Sequence, residues 1–141
     1  MENAQLSNII VQLKSQGQMD FLPSVTNAEI GAFEVNNKVY LPIQYREWLM
    51  FSDGGELFLP AGIQLYGIAH QPIINVNDSG SPNEEYIVIG TMSSGDPIIC
   101  ERGREVISIY NSEAGKIESD ETFADFYEFI SNLSEVLVTR R

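Results

Sequence analysis

The sequence has one cysteine, one histidine and only eight basic residues among its 141 positions. Cys100 alone cannot form an internal disulfide, and one cysteine with one histidine cannot supply the three or four ligands of a structural zinc site. His70 stands in no catalytic motif, so Ser-His-Asp and Cys-His arrangements are disfavoured. We therefore expect no metal, no cofactor and no enzymatic activity.

Glycine-rich phosphate loops and long apolar runs are also missing. Neither G-x-G-x-x-G nor G-x-x-x-x-G-K-[ST] occurs in the sequence, which gives nucleotide binding no support. No apolar run approaches the roughly 18 residues that a bilayer-spanning helix needs, and the N-terminus lacks the basic region and cleavage site of a signal peptide. We expect a cytoplasmic protein without a membrane partner, and the lone cysteine agrees with a reducing compartment.

Basic residues are outnumbered by twenty acidic ones, which gives a net charge of −12. The excess is uneven, because residues 71–141 carry thirteen of the acids and only five bases. This sign disfavours direct binding to a nucleic-acid backbone, whereas it would attract and steer a basic protein partner. Solubility alone is the alternative explanation of such a composition.

Apolar spacing and capping signals predict three helices in the first half of the chain. Helical periodicity runs over about residues 3–15. Thr26 and Glu29 form a capping box that starts a second helix, which extends to about residue 34. Pro42 suits the first position of a third helix, because its missing N–H would be unpaired there in any case.

The second half changes to short apolar runs that are separated by turn residues, which predicts strands. The predicted strands are Glu56–Leu59, Ile63–Ile68, Ile73–Val76, Tyr86–Ile89, Pro97–Glu101 and Val106–Tyr110. The last two should form an antiparallel hairpin in which Gly103 takes a positive φ. Residues 77–85 are predicted to be an exposed loop, and a final helix should begin near Asp120 and continue to about Leu137.

These elements predict one domain spanning residues 1–141, with 43% hydrophobic residues to build its core. The fold class is α+β, with a mainly antiparallel meander sheet of about five to six strands. Helices come from the N-terminal half, and a long C-terminal helix packs on the sheet.

The most informative stretch runs from residue 41 to residue 55, where Tyr45 and Trp48 share one face of the third helix. Such an aromatic face usually belongs to the core, although tryptophan is also enriched at the centres of protein interfaces. The sequence Asp53-Gly54-Gly55 should end this helix. We expect Gly54 to have a positive φ and Asp53 to lie near the surface beside it.

The order of these features resembles the SUKH superfamily over about residues 20–132. The matching segments are Glu29-Ile30, Phe33-Glu34, Leu41-Pro42, Tyr45–Phe51, Asp53-Gly54-Gly55, Tyr86–Gly90, Ser94-Gly95-Asp96 and the late Phe123, Phe126 and Phe129. Asp53 stands where many members of the superfamily have asparagine.

The resemblance implies a non-enzymatic interaction protein. SUKH immunity proteins bind and neutralise toxins that are encoded beside them, many of which are nucleases or deaminases, and other members resemble a fungal regulator of cell-wall assembly. A small ligand-binding or enzymatic domain with a groove near Trp48 and Asp53 is the alternative. We expect a basic partner, with these candidate binding residues: Glu34, Tyr45, Trp48, Asp53, Gly54, Gly55, Ser94 and Asp96.

Overall fold

Seven antiparallel strands form one sheet, and their order across the sheet follows their order along the chain. A computed structural model describes residues 4–59, 62–69, 74 and 85–139. The elements within them are α1 (Ala4–Gln16), β1 (Gln18–Asp20), α2 (Asn27–Asn37), α3 (Ile43–Leu49), β2 (Gly55–Leu59), β3 (Ile63–Leu65), β4 (Tyr86–Met92), β5 (Pro97–Glu101), β6 (Ile107–Asn111), β7 (Lys116–Phe123), α4 (Phe126–Ser131) and α5 (Leu133–Thr139). The predicted α+β meander is confirmed, with slightly more strands than expected.

The helix starts of α2 and α3 depend on side chains that accept hydrogen bonds from backbone N–H groups at these positions. The Thr26 hydroxyl accepts from the Glu29 N–H at 3.1 Å, and the Glu29 carboxylate accepts from the Thr26 N–H at 3.0 Å, which confirms the capping box. Pro42 is the N-cap of α3 and not its first helical residue, so that prediction was one position early. Because proline has no side chain that could cap, the first N–H groups need another acceptor. The carboxylate of Glu105, from the β5–β6 connection, accepts from the N–H of Ile43 at 2.9 Å.

The C-terminal part differs most from the sequence prediction. Asp120, expected to cap the final helix, lies in β7. The cap is Asp125, whose side chain accepts from the Glu128 N–H at 2.8 Å. The helix is also divided, because α4 ends at Ser131 and α5 starts at Leu133. A strand that reads KIESDETF lacks the alternation of apolar residues that identifies a strand in sequence, which explains why β7 was not predicted.

Strands are present at the positions predicted for β2 to β6, but β3 ends at Leu65 and not at Ile68. The Pro97–Glu101 strand and its hairpin with β6 are confirmed, and Gly103 has a φ of 76°. The three-residue β1 was not predicted, because QMD carries no strand pattern. His70, the predicted 73–76 strand apart from Ile74, and the predicted 77–85 loop apart from Glu85 lie outside the described residues.

The core lies between the helices and the sheet. Leu6, Ile9 and Leu13 of α1 belong to it, and so do strand residues such as Leu65 and Ile98. The α4 helix contacts both α1 and α3. The sheet with α4 thus forms the support against which α3 is fixed, and α3 carries two of the predicted site residues, Tyr45 and Trp48.

Candidate functional site

The aromatic face of α3 is buried. Neither Tyr45 nor Trp48 has measurable exposure to solvent, and both pack on Phe126, with ring centroids 4.9 Å and 5.7 Å away. The Trp48 indole N–H donates to the Gly54 carbonyl at 3.0 Å. Of the two interpretations of this face, the structure therefore supports the core, and the rings are not placed to contact a partner directly.

The hydroxyl of Tyr45 also has hydrogen-bond partners inside the core. Its hydroxyl donates to the carbonyl of Tyr66 and lies 3.3 Å from the carbonyl of Ile89. Burial, and then the charge of nearby Asp53, raise the pKa of Tyr45 well above its usual value. The hydroxyl consequently remains protonated and ties α3 to β4 and to the end of β3.

Asp53 is fully buried, so the prediction that it lies near the surface was wrong. Its two carboxylate oxygens accept from the backbone N–H groups of Ile68 at 2.7 Å and Ala69 at 2.9 Å. Its own N–H donates to the Pro23 carbonyl at 3.2 Å. Charge-assisted bonds of this kind compensate for the burial of a carboxylate. Asp53 therefore joins the turn after α3 to the chain that follows β3.

Gly54 and Gly55 end this turn in conformations that favour glycine. Gly54 has a φ of 89°, which confirms the prediction, and Gly55 has a φ of 124°. A Cβ atom on Gly54 would lie 2.4 Å from the Leu65 carbonyl oxygen. The glycine thus permits both the turn and the close approach of the chain at the end of β3.

Glu34 stabilises the connection between α2 and α3. It is 8% exposed, and one carboxylate oxygen accepts from the Leu41 N–H at 2.7 Å. The other lies 3.7 Å from Nε of Arg46, whose guanidinium also donates to Asn27 at 2.7 Å. The carboxylate of Glu34 therefore stabilises the fold at this position.

Ser94 and Asp96 lie elsewhere, in the turn between β4 and β5. Ser94 is exposed, and a carboxylate oxygen of Asp96 accepts from the Ser112 N–H at 3.1 Å. This turn precedes β5, whereas Glu105, which caps α3, follows it. Since β5 is extended, the two ends are separated by roughly 17 Å. The structure gathers the other six candidate residues around α3 and does not place all eight on one surface.

An acidic groove beside β7 was not identified from the sequence. It has a volume of about 430 Å³ and is lined by residues 119–123 of β7 and by Glu128, Asn132, Glu135 and Val136. Residues 117–139 contain six acidic residues and neither lysine nor arginine. That run of one charge sign is the signal in the sequence, although the sequence analysis assigns its first part, near Asp120, to the start of a helix.

A second groove, of about 400 Å³, is lined by Glu56 and by residues of β3 and β4 that include Gln64 and Thr91. Neither groove is lined by Trp48 or Asp53. Among the described residues, no three or more His, Cys, Asp or Glu side chains are grouped so that they could hold a metal ion. Within the same part of the chain, none of the helices has both the length and the apolar character needed to cross a membrane.

Comparison with models of protein families matches residues 24–132 to the SMI1 / KNR4 family (SUKH-1). A comparison with curated proteins gives no match. The family match begins just before the capping box of α2 and ends after α4, so it includes all eight candidate residues and most of the sheet. The chain belongs to the SMI1 / KNR4 family (SUKH-1), within the superfamily that the sequence motifs resemble.

Proposed function

We propose that this protein is a non-enzymatic interaction protein that binds a basic toxin domain and neutralises it. The observation that carries the proposal is membership of the SUKH-1 family over residues 24–132. Immunity to a neighbouring toxin is a role that the resemblance to SUKH proteins implies. An immunity protein needs a binding surface and no catalytic centre of its own.

The distribution of charge supports a basic partner. Asp120 and Glu128 line the groove beside β7, and both are exposed. Enzymes that act on nucleic acids hold phosphate groups with lysine and arginine, and carboxylates of a binding protein can occupy those groups instead. Opposite charge also accelerates the encounter between two proteins.

The alternative, a small enzyme or ligand-binding domain near Trp48 and Asp53, is less well supported. The polar atoms of those side chains are engaged in bonds that hold α3 and its following turn. Tight binding also requires well-packed contacts at the centre of an interface, and not charge alone. Ser94, which is exposed in the β4–β5 turn, remains a predicted contact residue together with Asp96.

The test is to co-express this protein with the product of the adjacent gene. We expect the two proteins to co-purify. Expression of the neighbour alone should stop growth, and co-expression of this protein should restore it. The control is co-expression of the same toxin with the Phe126→Ala variant. A smaller fraction of this variant should be folded, because Phe126 is buried in the core. A neighbour that neither binds nor impairs growth would contradict the proposal, as would turnover of a substrate by this protein.

A further inference from the structure

The second groove, which lies over β2, β3 and β4, contains a row of polar side chains. Glu56 of β2 pairs with Gln64 of β3, and Gln64 pairs in turn with Thr91 of β4. Residues that are paired directly carry their side chains on the same face of a sheet, and neighbouring strands lie about 4.8 Å apart. The three side chains therefore form one row across three strands, and all three residues line the groove.

This row lies on the sheet face that is turned away from the core. Leu57, Ile63 and Leu65, the strand neighbours of Glu56 and Gln64, are buried in the core, and successive side chains of a strand point to opposite faces. Glu56 and Gln64 are both partly exposed. Within the described part of the chain, the side chains of these two residues form no hydrogen bond or ion pair. The groove thus offers a carboxylate and an amide to a ligand.

A second carboxylate extends the row beyond the groove. Asp20 of β1 is exposed and pairs directly with Glu56. Like charges that lie opposite each other destabilise a pair of strands. A cation bound beside these two carboxylates would reduce their repulsion. The register of β1 and β2 therefore favours a cationic ligand at this end of the row.

We propose that this groove binds the guanidinium group of an arginine side chain of the partner. The inference rests on the proposed function, which makes the partner a basic protein, and it assigns one contact that would recognise that partner. A guanidinium group is planar and presents five N–H donors in a fixed fork, which suits a row of carboxylate, amide and hydroxyl oxygens. A lysine ammonium is a compact and strongly hydrated point charge, so it fits this row less well.

Two other residues of the groove suit the same occupant. The hydroxyl of Thr91 lies 3.5 Å from that of Tyr66, and it can accept another hydrogen bond because a hydroxyl oxygen has two lone pairs. Leu59 also lines the groove and is partly exposed. Arginine commonly packs its methylene stem on apolar surface while its charged head meets polar groups. Leu59 provides such a surface beside the polar row.

Charge selects a basic partner over a second copy of this chain. Each copy has twenty acidic and only eight basic residues, and its net charge of −12 repels another copy. The same charge attracts a basic domain and increases the rate of its encounter with this surface. The arginine that enters the groove is therefore expected to come from a different protein.

The test titrates the full chain with a Gly-Arg-Gly peptide that is blocked at both ends, and follows the backbone amide signals by NMR. The matched probe is the blocked Gly-Lys-Gly peptide, which has the same charge. We expect the arginine peptide to bind with a dissociation constant of about 1–10 mM, with the largest shifts at Glu56, Gln64 and Thr91. The lysine peptide should bind at least about threefold more weakly, and added salt should weaken both.

Glu56→Gln separates a role in binding from a role in the fold. It retains the shape of the side chain but removes its charge, and should weaken binding of the arginine peptide about threefold to tenfold. The melting temperature of the protein without peptide should stay the same or rise, because the repulsion between Glu56 and Asp20 is removed. The control, Glu113→Gln, neutralises an exposed carboxylate in the β6–β7 turn and should change the affinity by less than about twofold.

Three outcomes would overturn the proposal. The first is that the arginine peptide causes no shifts in the groove at about 10 mM. The second is equal affinity for the arginine and lysine peptides, because net charge alone would then explain binding. The third is an equal loss in Glu56→Gln and Glu113→Gln, since charge would then act without a defined site. The peptide test requires no toxin, so it can fail while the adjacent gene product still binds through another surface.

Discussion

Replacing Asp53 by alanine tests whether this residue has a structural role. The substitution removes the acceptors of two backbone N–H groups, those of Ile68 and Ala69, whose bonds measure 2.7 Å and 2.9 Å. A hydrogen bond to a charged group contributes about 1.5–3 kcal/mol, and a buried donor left without a partner costs a similar amount. Because the two bonds share one carboxylate, we expect a loss of about 3–5 kcal/mol in the free energy of unfolding.

The assay is urea unfolding, with the slope of the transition used to confirm that the same surface is exposed. Asp53→Asn is the matched variant. The substituted side chain would retain one oxygen acceptor and nearly the same shape, so Asp53→Asn should reduce the free energy of unfolding by about half as much as Asp53→Ala. Asp20→Ala removes an exposed carboxylate and should change stability by less than about 0.5 kcal/mol. A loss below about 1 kcal/mol for Asp53→Ala would refute the structural role, and would return Asp53 to the candidates for direct binding.

Three further changes test other parts of the fold. Phe126→Ala should cost about 3–5 kcal/mol in denaturant melts, since the ring is fully buried against Tyr45 and Trp48. Gly54→Val should reduce the free energy of unfolding well beyond ordinary surface substitutions, because a β-branched residue would combine a φ of 89° with a Cβ position 2.4 Å from the Leu65 carbonyl oxygen. The pKa of the Cys100 thiol is raised from 9.0 to about 12 by burial, and then by the charge of Glu105. The unfolded chain therefore releases this proton at lower pH than the folded chain, and the stability should fall as pH rises from about 9 towards 12, by up to about 1.4 kcal/mol for each pH unit.

Each of these changes has its own control. A loss below about 1 kcal/mol for Phe126→Ala would show that this face of α4 is not buried. Gly95 also has a positive φ, of 93°, but no atom lies close to the position of its Cβ. Gly95→Val should therefore reduce the free energy of unfolding by less than Gly54→Val does. Cys100→Val removes the thiol, and its stability should decline less between pH 9 and pH 10 than that of the natural chain. Identical declines in the two proteins would contradict the role of the thiol.

Local signals in the sequence were sufficient for much of the fold. The capping box of Thr26 and Glu29 depends on residues three apart, and the positive φ of Gly54 follows from the end of a short helix. Both could be predicted because the interacting groups are close along the chain. The edge strand β7 could not, since its polar sequence pairs with β6 through backbone groups that leave no pattern of side chains.

The candidate site was harder to predict, because its residues depend on distant partners. The carboxylate of Asp53 is satisfied by amides 15 and 16 positions later. An Asp-Gly-Gly turn gives no sign of that contact and is ordinarily exposed. The shared face of Tyr45 and Trp48 was consistent with a core or an interface, and only the packing of Phe126 against it decides between them. The acidic groove is lined by residues of β7, α4 and α5. The sequence analysis predicts a single long helix where the structure has α4 and α5.

The most direct test of the central claim is the rate at which this protein associates with the adjacent gene product as salt is raised. Increasing the ionic strength from about 0.01 M to about 0.15 M shortens the Debye length from about 30 Å to about 8 Å. An acidic protein that captures a basic domain should therefore associate several-fold more slowly at the higher salt, and Asp120→Asn with Glu128→Gln should show a weaker dependence. An association rate that does not change with salt would contradict recognition of a basic partner by this acidic surface.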